Sequence, residues 1–302
     1  MSDALAPSPG RIAPGRRIVI LVWAMILTAA PFIAGFVTMG AVDVGIDLAF
    51  SPVSGARFYI DLVAGPLAAL ASIAAAVGAY VLLVRLAERR WPSELALAPA
   101  LPELGRGIAL AVIAFGLLMG VLTLSGGVVW RPPPLVDWRW ALATGLSQGA
   151  FGGLLLGLMV QGGIARLGTQ ALGPAVGVVL AALAAFWILS FDVERPPIQR
   201  ANAALGGAIL ALVWLRRQRL WLGLGLFMGW GALVGAVIGG YSLQCGYDST
   251  EAFIYEPGRG VLIAWLRGEG GPESSVPLLA GCVLAVVWLT WRAWKEGRFS
   301  RA

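Results

Sequence analysis

The sequence predicts an all-α polytopic membrane protein, a bundle of about eight transmembrane helices. Three observations predict it. Of 302 residues, 59% are hydrophobic and 13% charged, about half the charge of an ordinary soluble domain. The mean hydropathy is +0.82. Apolar runs of about 20 residues, the length that crosses a bilayer as a helix, recur from end to end. A soluble helical core would need polar faces on these helices, and they have almost none.

The elements follow in order. Residues 1–17 (MSDALAPSPGRIAPGRR) are rich in Pro, Gly, Ala and Arg and read as a disordered cytoplasmic N-terminus. A single membrane domain is expected over 18–294, with a cytoplasmic tail at 295–302. The first apolar run, 18–40, is too long for a signal-peptide core and reads as a retained span. A loop at 41–61 carries Asp43, Asp47 and Asp61. The second span, 62–84, ends at Arg85, Glu88, Arg89 and Arg90, and 92–106 is an amphipathic connector. The third span is 107–125, and a Pro-rich loop at 131–134 leads to the fourth, 141–163. Arg166 follows, then spans at 171–191, 203–215 and 220–241. The longest loop, 242–275, holds Asp248, Glu251, Glu256, Glu269 and Glu273, and the eighth span is 276–294.

Charge orients this arrangement. The loops on the side of the N-terminus collect 15 Lys+Arg and 5 acids, and the opposite side collects 7 and 11. Positive-inside bias therefore places both termini in the cytoplasm. The expected location is the plasma (inner) membrane, of prokaryotic type. The net charge of +6 sits at span ends, so it reads as topology rather than nucleic-acid binding.

The chemistry is bounded by what is missing. There is no histidine, which excludes imidazole metal ligands and imidazole acid–base catalysis. Two cysteines, Cys245 and Cys282, are too few for a disulfide framework. No cofactor and no metal is expected. The acids of 242–275 lack the spacing of a calcium loop, and a solvated loop is the plainer reading.

The fourth span carries Gly145, Gly149, Gly153 and Gly157, and the seventh carries Gly231, Gly235 and Gly239. Glycine every four residues lies near one helix face and lets a neighbouring backbone approach closely. Helix packing in the manner of a glycine zipper is the expected role, with the lining of a channel as the alternative.

Certain fragments resemble a known family. The connector Glu88-Arg89-Arg90-Trp91-Pro92-Ser93-Glu94-Leu95, Phe151-Gly152-Gly153 in the fourth span, Gly229-Trp230 in the seventh, and Gly270-Gly271-Pro272-Glu273-Ser274 recur in order. Together they resemble the CAAX-protease and bacteriocin-processing (CPBP, Abi-like) family of intramembrane proteases, over roughly residues 80 to 290. The resemblance implies a helical membrane fold and three motifs: Glu-Glu-x-x-x-Arg, Phe-x-x-x-His and His-x-x-x-Asn or Asp. Onto these motifs fall Ser147 and Gln148 for the two Glu, Gly152 for Arg, Ser190 for His, Phe227 for His and Gly231 for Asn. None of the six functional positions is retained. Gln148 takes no proton at useful pH, and Phe227 is apolar.

The resemblance thus implies a degenerate, non-catalytic member, a pseudoenzyme. Its expected partners are the lipid bilayer and another membrane protein, a peptide or a lipid. Two alternatives stay open: an intramembrane peptidase working through substituted residues, and a small-molecule or lipid transporter. Ser147, Gln148 and Ser190 are readable either as a remnant polar site or as interhelical glue.

Overall fold

In lipid a backbone must satisfy its own hydrogen bonds, so apolar runs of this length become helices. The computed structural model describes residues 13–50, 57–131, 138–190, 196–239, 254–257 and 271–300. Its helices are α1 (Pro14–Phe50), α2 (Arg57–Ala87), α3 (Ala100–Leu124), α4 (Trp138–Gly157), α5 (Arg166–Leu172), α6 (Pro174–Ser190), α7 (Pro197–Arg217), α8 (Trp221–Leu233) and α9 (Val276–Lys295). Between α4 and α5 the chain stays helical through a π segment, Leu158–Ala165, and a second π segment, Val234–Gly239, extends α8. The fold is all-α and polytopic. Six helical stretches are long and apolar enough to cross a membrane, and α6 and α8 contribute two shorter apolar ones.

Several boundaries differ from those the sequence suggests. Helix α1 begins at Pro14, inside the segment expected to be irregular, and runs to Phe50. Asp43 and Asp47 are therefore helical rather than in a loop. Proline is tolerated in the first turn of a helix, which has no partner for its N–H, and no other proline follows Pro31 within α1. Helix α3 starts at Ala100, so the second half of the connector is its first two turns. Helix α7 starts at Pro197, six residues before the expected start at 203, because a proline pair presets the first turn. Arg166 does not follow a span. It lies in a continuous helical run that ends at Gly173, whose φ of 96° only glycine adopts readily.

Two short strands were not anticipated. Val128–Arg131 pairs antiparallel with Ile254–Pro257, tying the end of α3 to the loop that follows α8. The expected tail folds back: Arg298 donates to the Arg216 carbonyl at 2.8 Å, and Arg216 pairs with Glu296. The Pro-rich loop at 132–134, Cys245, and most of 242–275 lie outside the described residues. Cys282 is a free thiol.

The helices pack in two rows. One runs α3–α8–α4–α2–α1 and the other α6–α7–α9. The first π segment and α5 join the rows, packing against both α1 and α6. The main core gathers there, with Leu27, Tyr80, Leu158, Leu210 and Leu224 shielded from solvent. Large apolar side chains point outward from the periphery, among them Val19, Val179 and Leu284. In water that exposure would be a liability. Against lipid tails it is the expected surface, and the bundle contacts the bilayer through it.

Candidate ligand-binding cavity

The site begins with glycine. An added Cβ at Gly145 would strike the backbone of Gly235, at Gly149 that of Gly231, and at Gly153 that of Phe227. The reverse holds for Gly231 against Gly149 and Gly235 against Gly145. Gly157 differs, because its Cβ would meet the flexible Leu224 side chain at 2.7 Å. Gly239 ends the second π segment. The opposite face of α8 is equally bare, with Gly225 against the Leu104 backbone and Gly229 near Ala111 and Ile108 of α3. Helices α3, α8 and α4 therefore form a thin wall in near backbone contact, as small residues permit in lipid.

A wall this thin does not fill the space before α7 and α9. Between them lies a cavity of about 980 Å³, at the upper end of the volumes that hold small ligands. Its lining is mostly apolar, with Phe36 and Leu118 on one side and Ile209 and Leu278 on the other. Phe227 reaches across it, and a Cβ added to Gly206 of α7 would come within 3.1 Å of the Phe227 ring.

Of the six motif-matched positions, Gly152, Phe227 and Gly231 line this cavity. Ser147 is not among its lining and instead sits beside Gly65 of α2. The side chains of Gln148 and Ser190 lie outside the described residues. Among the described residues no group of three His, Cys, Asp or Glu side chains is placed to hold a metal ion.

Sequence reading missed the cavity's polar end. Glu273, at the entry to α9, accepts from Trp230 Nε1 at 3.0 Å and from Gln199 Nε2 at 3.2 Å. Asn202 Nδ2 donates to the Glu273 carbonyl at 2.8 Å. Gln199 is 3% and Asn202 7% exposed, yet Gln199 Oε1 and Asn202 Oδ1 have no hydrogen-bond partner. A buried acceptor left unmade costs about 1–3 kcal/mol. Gln199 and Asn202 fall before the expected start of the sixth span, and Glu273 reads as one loop acid among five. Pro196-Pro197 was the available signal, since it moves the helix start back and brings both amides inside.

A second polar cluster closes the other end of the bundle. Arg166, with a side chain 3% exposed, pairs with Glu88 at 2.5 Å, and its Nε donates to the Gly162 carbonyl at 3.0 Å. Arg90 bridges the two acids, with Nε on Glu88 at 2.7 Å and Nη1 on Glu94 at 2.8 Å. Tyr80 donates to Glu94 at 2.8 Å and Trp23 to Glu88 at 3.0 Å. Burial pushes the Glu88 carboxyl up. The hydrogen bond and charge of Arg166, aided by Trp23 and Arg90, outweigh that and bring it down to about 2. Glu94 is likewise lowered, burial being overcome by Arg90 and Arg166. Every acid here has a basic partner, so the cluster works as a clamp between helices.

Gln161 links the π segment to the second row. It is fully buried, and its Nε2 donates to the Leu210 carbonyl of α7 at 2.8 Å. Gly223 of α8 lies against the same amide, and a Cβ there would overlap it.

Compared with known proteins, the chain matches no family model, no curated protein and no solved structure.

Proposed function

We propose that this integral membrane protein is a non-catalytic binding protein that takes a lipid-like ligand in the cavity between its two helix rows. The cavity itself supports the reading: about 980 Å³, mostly apolar along its walls, with Gln199, Asn202 and Glu273 grouped at the start of α7 and Arg216 and Arg217 at its end. An amphiphile has the same division. Ligand pockets are mostly apolar, with a few placed polar groups that fix orientation.

The resemblance to the CPBP intramembrane proteases belongs to the same proposal. Three of the six matched positions share the cavity, and all three are chemically inert there: Gly152, Phe227 and Gly231. A hydrolytic site needs a base or an activated nucleophile. Two carboxylates line this cavity, Asp43 and Glu273, and Glu273 is engaged by Trp230 and Gln199. The cytoplasmic placement of both termini rests on the distribution of basic residues, and the inner-membrane location is part of the same reading.

Native mass spectrometry of protein extracted in mild detergent tests the reading. The wild type should retain a lipid-sized adduct through a delipidating wash. Ala203→Trp, which fills the cavity from α7, should lose that adduct while keeping loosely bound surface lipid. No retained adduct in the wild type, or an undiminished one in Ala203→Trp, would overturn the proposal.

A further inference from the structure

The polar end of the cavity is short of hydrogen-bond donors in a specific way. Glu273 presents a carboxylate, and no arginine or lysine among the described residues pairs with it. Gln199 and Asn202 spend their amide N–H groups holding Glu273 and the turn around it, through bonds to the Glu273 carboxylate and carbonyl. Those bonds settle which way the two amides point, because an amide oxygen in place of Nε2 would face an acceptor. The remaining oxygens, Gln199 Oε1 and Asn202 Oδ1, are buried without a partner, and both residues line the cavity. Three acceptor groups, one of them the Glu273 carboxylate, thus gather at this end of a mostly apolar chamber, which Asp43 and, at the end of α7, Arg216 and Arg217 also line.

A primary ammonium group matches that set. It has three N–H donors and one positive charge. A hydroxyl offers one donor and no charge, and a trimethylammonium offers charge and no donor. A phosphate or carboxylate would bring further acceptors to a site that already has too many. Resting on the lipid-binding reading above, we infer that the cavity selects an amphiphile with a primary ammonium head. The head is held by Glu273, Gln199 and Asn202, and the apolar chain runs along Phe227 and the α7 face.

The protein in phosphatidylcholine nanodiscs, whose lipid has no primary amine, provides the test by calorimetric titration with dodecylamine, dodecanol and dodecyltrimethylammonium. Dodecylamine should bind about tenfold more tightly than either of the others, as charge-assisted bonds exceed neutral ones. In Glu273→Gln, which keeps the shape and an acceptor for Trp230, the preference for the amine over the alcohol should disappear. Equal affinity for amine and alcohol would overturn the headgroup assignment and leave the lipid-binding reading standing. Equal affinity for the two cations would show that charge alone is read and would overturn the role of the two amides. Binding of none of the three would overturn both readings.

Discussion

Arg166 and Glu88, 78 positions apart, meet as a two-pronged pair: Nη1 lies 2.8 Å from Oε2 and Nη2 2.5 Å from Oε1. The guanidinium comes from the helical run that joins the two rows, and the carboxylate follows directly on the end of α2. A bidentate pair of this kind fixes direction as well as distance. It holds the end of α2 onto the junction beneath the cavity.

Removing one partner leaves the other charge buried. Arg166→Met should therefore cost about 3–5 kcal/mol, and Glu88→Gln less, since Glu88 is partly exposed. The double variant Arg166→Met/Glu88→Gln should recover part of the Arg166→Met loss. Thermal unfolding in detergent reads this. Additive losses would mean that the two side chains act independently.

Acid should loosen the same cluster. Glu88 titrates near 2 in the folded protein against an ordinary 4.5, and Glu94 is also lowered. A carboxylate with a depressed folded value adds stability that is complete above its unfolded value and is lost as pH falls toward the folded one. Thermal stability should therefore be flat from pH 7 to 5 and fall between 4.5 and 2. Glu88→Gln should flatten that acid limb.

At the α4–α8 contact even one methyl is too many. Gly149→Ala and Gly153→Ala place a Cβ on the backbone of Gly231 and Phe227, and each should cost about 1–3 kcal/mol by overpacking. The glycine spacing alone suggests that at Gly153 leucine is harmful and alanine milder. Gly116 of α3 has open space around it, so Gly116→Ala should be neutral or gain up to about 1 kcal/mol of helix propensity. Equal melting temperatures for Gly149→Ala and Gly116→Ala would show that α4 and α8 stand further apart.

Gly223 and Gln161 should be coupled. Gly223→Ala drives a methyl into the Gln161 amide and should destabilise. Gln161→Ala vacates that space and should cancel the added cost of Gly223→Ala, at the expense of its own bond to Leu210. A double-mutant cycle with no interaction energy would refute the contact.

Topology is open to cysteine labelling in a background lacking Cys245 and Cys282. A cysteine at Thr250 should react from outside intact cells and one at Arg89 should not. Arg89 is the better inner probe, since its neighbour Arg90 holds Glu88 and Glu94 together. Outside labelling at Arg89 would invert or dismantle the both-ends-in arrangement.

What the sequence determined alone was the kind of molecule and the rough course of its chain. Hydrophobic runs are local, and a bilayer turns a local apolar run into a helix without asking what it packs against. The glycine spacing within α4 and α8 was legible for the same reason, although which helices meet there was not. Element ends were less legible. Those of α1, α3 and α7 depend on first-turn prolines and on charged residues whose partners lie elsewhere.

The tertiary structure decided the polar interior. Arg166 looks like a charge at a span end until Glu88 and Glu94 are brought to it across α2 and the connector. Glu273 looks like a loop acid until the starts of α7 and α9 are set side by side. Gln199 and Asn202 look like loop residues until α7 is seen to begin at Pro197. Periodicity reports which residues avoid water. Which polar groups share a buried space is fixed by contacts distant in sequence, and no local pattern encodes those.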